Sequence, residues 1–132
     1  MIALDTNVLV RYLVEDEPRE QCERAARFIE RAVDAGEDVF LSDIVVCETV
    51  WVLESAYNVD RERVVGVLNQ LLETGQIRFH NHSLVRRAAD AYESSSADFA
   101  DYLIREVALD AGCDAVATFD QNTLTETGFI EP

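Results

Sequence analysis

Short apolar runs alternate along this chain with amphipathic stretches of ten or more residues, and that alternation limits the possible folds more than any other feature. Ile2-Ala3-Leu4 ends at Asp5, and Val8-Leu9-Val10 with Tyr12-Leu13-Val14 follows at helical spacing: strand, acidic turn, helix. Residues 18–33 are amphipathic, with Pro18 suited to a first helical position and Gly36 to the exit. Residues 38–41 form a second strand, and Ser42 caps a helix from Asp43 to about Ala56 that carries Glu48. A helix from Asp60 to about Leu72 is closed by Gly75. Ile77-Arg78-Phe79 is a brief strand, and a further helix covers about 83–92. After the polar Ser94-Ser95-Ser96, residues 97–111 read as a helix with Phe99, Tyr102, Leu103, Val107 and Ala108 on its apolar side and Gly112 at its end. Residues 115–119 read as a buried strand with Asp120 directly after it, and Phe129-Ile130 as a last small strand.

Strands joined through helices pair in parallel by right-handed crossovers. The expected fold is therefore α/β, a three-layer α/β/α sandwich with a small, central, mostly parallel sheet. At 132 residues, with no linker or repeat, it is read as one domain, 1–132, whose core is large enough to need no staple. Cys22, Cys47 and Cys113 are odd in number and widely spaced, which suits free thiols in a reducing cytoplasm. No run is long enough to span a membrane.

Charge narrows the function. Asp and Glu number 26 against 11 basic residues, and every basic residue is arginine. Without lysine, P-loop, pyridoxal and Schiff-base chemistries lose an indispensable group. What remains is acid. In an open parallel sheet, ligands sit beyond the carboxyl ends of the strands. Asp5 ends the first strand and Asp120 follows the fourth, so their carboxylates meet if those strands are neighbours. Asp98 and Asp101, three apart, share one helical face, and Glu48 projects toward the same mouth. Crowded carboxylates repel unless a cation lies between them. Hard oxygen donors select magnesium or manganese, and such ions support phosphoryl hydrolysis.

Four fragments stand in this order: Ile-Ala-Leu-Asp-Thr-Asn-Val-Leu-Val at the start, Cys47-Glu48, Ala-Asp-Phe-Ala-Asp-Tyr-Leu-Ile from Ala97, and Thr118-Phe119-Asp120. Together they resemble the PIN domain, and more narrowly the VapC-type toxin ribonucleases of toxin–antitoxin pairs, over essentially the whole chain. The resemblance implies a metal-dependent endoribonuclease in which Asp5, Glu48, Asp101 and Asp120 are the catalytic acids, binding one or two Mg2+ or Mn2+ ions. Asp101 is favoured over Asp98 as the direct ligand, because the family's third acid directly precedes an apolar pair. Asp98 is an additional acid, and Thr6, Asn7 and Thr118 match small polar positions that orient a carboxylate, a metal-bound water or the substrate. It further implies a cytoplasmic homodimer, an RNA substrate, and a small VapB-like antitoxin whose peptide lies across or near the acid pocket.

Plainer roles compete for the same residues. Asp5 suits an Asx-type helix cap, Asp98 and Asp101 suit a helix's first turn, and Asp120 suits a loop. Glu48 resists such a reading, because an unpaired acid on so apolar a helix is costly. His80 and His82 lack a third soft ligand and read as surface histidines, while Trp51, Phe28, Phe40 and Phe99 read as core. Cys47 reads as a small buried filler. A net charge of −15 opposes a polyanionic substrate. A local rim of arginines such as Arg11, Arg86 or Arg87, the metal itself, or a high-salt habitat each answers that objection. Two other functions stay open, namely a PIN-like RNA-processing adaptor without catalysis and an acidic module that mimics nucleic acid.

Overall fold

The computed structural model describes residues 1–16 and 18–132, which form two compact units, Met1–His82 and Ser83–Pro132. In the first unit, strands β1 (Ile2–Ala3), β2 (Val39–Leu41) and β3 (Ile77–Phe79) form a parallel sheet in that order. Ile2 pairs with Val39, and Val39 with Ile77. Helices α1 (Thr6–Leu13) and α2 (Arg19–Asp34) connect the first two strands, and α3 (Asp43–Ser55) and α4 (Arg61–Glu73) connect the second pair. Parallel neighbours require such crossovers. Val39 and Leu41 on the middle strand are fully buried, and Leu9, Ile29, Val46, Val50, Leu53, Val64 and Leu68 bury the apolar stripes of the helices.

Local chemistry sets the helix ends. The Ser42 hydroxyl accepts from Val45 N at 3.2 Å and the Asp60 carboxylate from Arg63 N at 2.9 Å. Each satisfies one main-chain donor that the first turn leaves unpaired. Pro18 lies one place before its expected position, at the N-cap of α2. Gly36 ends α2 with φ +72°, while Gly36 N reaches Val33 O and Glu37 N reaches Ala32 O. This is a Schellman ending, and its left-handed residue strains any side chain larger than hydrogen. Gly112 closes the later helix in the same way, with its N–H on Leu109 O and that of Cys113 on Ala108 O.

The second unit holds α5 (His82–Ser94, whose first residue belongs to the first unit), α6 (Phe99–Asp110), β4 (Val116–Ala117), a 3-10 turn (Thr123–Thr125) and β5 (Phe129–Ile130). β4 and β5 pair in parallel. Tyr92 and Phe99 meet edge to face at 6.0 Å, both buried. Tyr102 is fully buried and satisfied at its hydroxyl, which accepts from Ala97 N at 3.1 Å and donates to Glu126 at 3.0 Å. Arg105 lies over the Tyr102 ring and donates to Thr127 O, pinning the segment before β5.

The class is α/β with small parallel sheets, as the alternation implies. The strands divide between two ladders instead of one. β4 is two residues long where five were expected, and Phe119 is 79% exposed. Thr118 N still bonds Ile130 O, but the Thr118 hydroxyl then accepts from Asp120 N and turns the chain out of the ladder. Among the described residues, no helix is long and apolar enough to cross a membrane.

Candidate functional site

In the first unit Asp5 follows β1 and is the N-cap of α1, its Oδ1 accepting from Thr6 N at 2.7 Å. The cap reading and the ligand reading are thus compatible, because one carboxylate oxygen holds the helix start while the side chain as a whole stays exposed. Thr6 supplies that bond through its main chain. Its hydroxyl is buried and has no hydrogen-bond partner among the described residues. Asn7 is exposed beside Asp5, and both line a groove of about 640 Å³ between β1, α1 and α2.

Glu48 is placed differently from the expectation. The buried face of α3 is Val45, Val46, Thr49, Val50 and Leu53, whereas Ile44, Glu48 and Trp51, at spacings of four and three, face outward. Glu48 is exposed, so the cost expected for an unpaired acid on this apolar helix does not arise. Trp51 is 70% exposed and Phe28 44%, so neither is core, although Phe99 is. The carboxyl ends of β2 and β3 carry a second polar group. Asp43 accepts from Asn81 Nδ2 at 2.9 Å and pairs with His80 Nδ1 at 3.6 Å. The His82 ring nitrogen meets Leu72 O at 2.9 Å, so the two histidines have separate partners and form no zinc pair. Burial, with Asp43 adding to it, pushes the Cys47 thiol up to about 11, which keeps it protonated and unsuited to nucleophilic work.

The second unit brings three of the acids into one electrostatic group. Asp101, at the third position of α6, turns its Oδ2 back to Asp98 N at 3.3 Å and accepts from the Thr123 hydroxyl at 3.3 Å. Its carboxyl titrates above the ordinary range, chiefly because burial disfavours the charge, with Asp98 and Asp120 repelling it further. Asp120 Oδ1 accepts from Asn122 N at 2.9 Å and Thr123 N at 3.3 Å, capping the 3-10 turn. Asn122 in turn bonds the Ser96 carbonyl and hydroxyl, tying the loop after β4 to the one before α6. Thr118 acts on the Asp120 main chain rather than on its carboxylate.

Thr123, 1% exposed and touching both acids, escaped the sequence reading. Its signal was present: an Asp followed two and three residues later by Asn and Thr is the pattern of an Asx-type turn.

The candidate donors in both units are hard oxygens. Asp101 is an acid whose own surroundings disfavour its charge, and Thr6 leaves a buried hydroxyl unpartnered next to Asp5. Both observations fit a hydrated divalent cation better than a soft metal. Among the described residues, no group of three or more His, Cys, Asp or Glu side chains is drawn together closely enough to hold an ion by itself.

Acids that close strands or open helices, on an α/β chain with short parallel sheets, define a class. The chain matches the PIN domain family over residues 2–130 and belongs to it. It is similar to the VapC ribonuclease of Aquifex aeolicus (strain VF5), with 29% identity over 119 residues, 90% of this chain and 87% of that protein.

Proposed function

We propose that the chain is a VapC-type toxin endoribonuclease that hydrolyses RNA phosphodiester bonds. The observation that carries this reading is the PIN match over residues 2–130, joined by likeness to a VapC ribonuclease along nine-tenths of the chain. The same span supports treating residues 1–132 as one functional domain, although the contacts cluster into two units.

Asp5, Glu48, Asp101 and Asp120 are the residues we assign to catalysis and to Mg2+ or Mn2+. When bound, one or two such ions supply an activated water and neutralise charge on the phosphoryl group. The chain's own part is orientation. Thr6 N fixes the rotamer of Asp5, Thr123 and Asp98 N fix that of Asp101, and the 3-10 turn fixes that of Asp120. Asn7 stands exposed beside Asp5 where it can meet substrate, and Asp98 adds negative charge beside Asp101. Thr118 sets the turn that presents Asp120. A VapB-like antitoxin, a homodimer and a cytoplasmic setting complete the reading, because toxins of this kind act on cellular RNA and are held by a small partner.

The test is cleavage of total RNA by the purified protein and by Asp5→Asn and Asp101→Asn, with manganese and with chelator. Loss of manganese-dependent cleavage in both variants is expected. Equal cleavage by all three proteins rejects the site assignment.

A further inference from the structure

Four of the eleven basic residues lie on α2, and three of them share a flank. Arg24, Arg27 and Arg31 recur with Phe28 at spacings of three, four and seven, which is one face of a helix about 10 Å long over that stretch. All four are exposed, Phe28 by 44%. Glu23, Glu30 and Asp34 fall on the other flank with Arg19, and Glu20 stands one turn before Arg24 on the arginine side, so it is from Arg24 onward that the helix sorts its charges.

The weak pair at 3.9 Å between Arg27 and Glu23 is the one ion pair on this flank among the described residues; Arg24 and Arg31 have none. Beside the flank lies a groove of about 510 Å³ walled by Ile2 of the edge strand β1, Arg31 and Glu37. Arg24 and Phe28 line this groove and also the one that contains Asp5 and Arg11. Two neighbouring grooves of the first unit therefore meet at Arg24 and Phe28, one along the arginine ridge and the other holding a proposed catalytic acid.

We propose that the Arg24–Arg27–Phe28–Arg31 ridge is a single-stranded RNA track that feeds the backbone toward Asp5. The proposal rests on the ribonuclease reading and gives that site its substrate path. Guanidinium groups bind phosphate oxygens in forked geometry, and an exposed phenyl ring between them offers a face on which any base stacks. The combination suits unpaired RNA better than a duplex, whose bases are already stacked. It also answers the charge objection: a chain at −15 repels RNA at long range, so contact needs a local strip of opposite sign. The ridge provides that strip on the helix that borders Asp5.

The experiment measures binding of a fluorescent, unstructured 12-nucleotide RNA, in chelator so that nothing is cut, across a salt series. The proteins are the intact chain, the triple variant Arg24→Ala, Arg27→Ala, Arg31→Ala, the single variants Phe28→Ala and Phe28→Trp, and Arg19→Ala as a control from the opposite flank. The triple variant should lower the log–log salt slope by about two, since each single-strand phosphate contact contributes about 0.7. Phe28→Ala should weaken binding about thirtyfold, the middle of the range for one stacked base, and Phe28→Trp should restore it. Arg19→Ala should bind as the intact chain does.

Unchanged affinity and slope in the triple variant overturn the track, as does equal loss in Arg19→Ala. Ridge variants that keep RNA but lose a co-expressed small antitoxin also overturn it and assign the groove to protein. Because binding is read without cleavage, a chain that holds RNA through the ridge yet cuts none with manganese defeats the nuclease reading while supporting the track.

Discussion

Thr123→Val removes one hydroxyl at the centre of the acid group and little else. The side chain is 1% exposed and the replacement has nearly the same shape, so no cavity opens. Thr123 N keeps its bond to Asp120 Oδ1, while Asp101 Oδ2 loses one of its two donors. Hydrogen bonds to charged groups contribute roughly 1.5–3 kcal/mol. At 3.3 Å this bond is longer than the usual hydroxyl–carboxylate contact, and the partly exposed Asp101 recovers some water, so the expected loss is about 1 kcal/mol. With an unfolding entropy of about 2.1 cal/mol/K per residue, a 132-residue chain should melt about 4 °C lower.

The pH dependence gives the reasoning its sharper edge. The hydroxyl favours ionised Asp101, so its loss raises further a carboxyl already above its ordinary 3.8. A carboxyl with a raised folded pKa binds its proton more tightly when folded, and its contribution to stability falls as pH climbs from 3.8 through the folded value. The variant's deficit should accordingly be full at pH 7 and vanish near pH 3.8, where Asp101 is protonated with or without the hydroxyl. Melts by circular dichroism in chelator, with a carbon-13 NMR titration of Asp101, read both quantities. Thr123→Ser, which keeps the hydroxyl and drops a methyl, should lose stability by the same amount at every pH. A Thr123→Val melt that matches the parent at pH 7, or a deficit independent of pH, refutes the coupling of Thr123 to Asp101.

Asp5→Asn should abolish RNA cleavage while shifting the melting temperature by no more than a degree or so, since asparagine caps a helix about as well as aspartate; Asp5→Ala should cost about 1 kcal/mol as well as activity. At pH 8, a maleimide or disulfide reagent should label exposed Cys113 much faster than Cys47, which is half-buried rather than the buried filler expected and whose thiol lies near 11; equal rates at the two residues would contradict that raised thiol. Trp51, the only tryptophan and 70% exposed, should emit as a hydrated indole and be quenched freely by acrylamide in the isolated chain. If adding a partner or raising the protein concentration shields it, the outward face of α3 is covered in that assembly.

How far the sequence carried the reading depends on what each inference required. Helix ends rested on neighbouring atoms, and Ser42, Asp60, Gly36 and Gly112 act within a turn or two of where they stand, so their positions were readable. Strand extent was not. The apolar run at 115–119 has the composition of a buried strand, yet the Thr118 hydroxyl and the Asp120 carboxylate bond their own local main chain and turn the backbone away after Ala117. Local side-chain bonds competed with the ladder and won. The candidate acids are picked out by residue type and order, and the structure changes what supports each of them. Glu48 was argued from a burial cost it does not bear, whereas Asp101 carries a real one through surroundings that no spacing of residues displays. Aromatic residues failed for the same cause: Phe99 and Phe28 look alike in a sequence, and only the packing of α2 leaves Phe28 uncovered between arginines. Summing charge over the whole chain erased that ridge altogether, because on α2 Glu20, Glu23, Glu30 and Asp34 cancel Arg19, Arg24, Arg27 and Arg31 in the total, while Arg24, Arg27 and Arg31 still gather on one flank. A net charge is therefore a statement about the far field alone, and the binding of a polyanion at contact distance is decided by the arrangement that the sum discards.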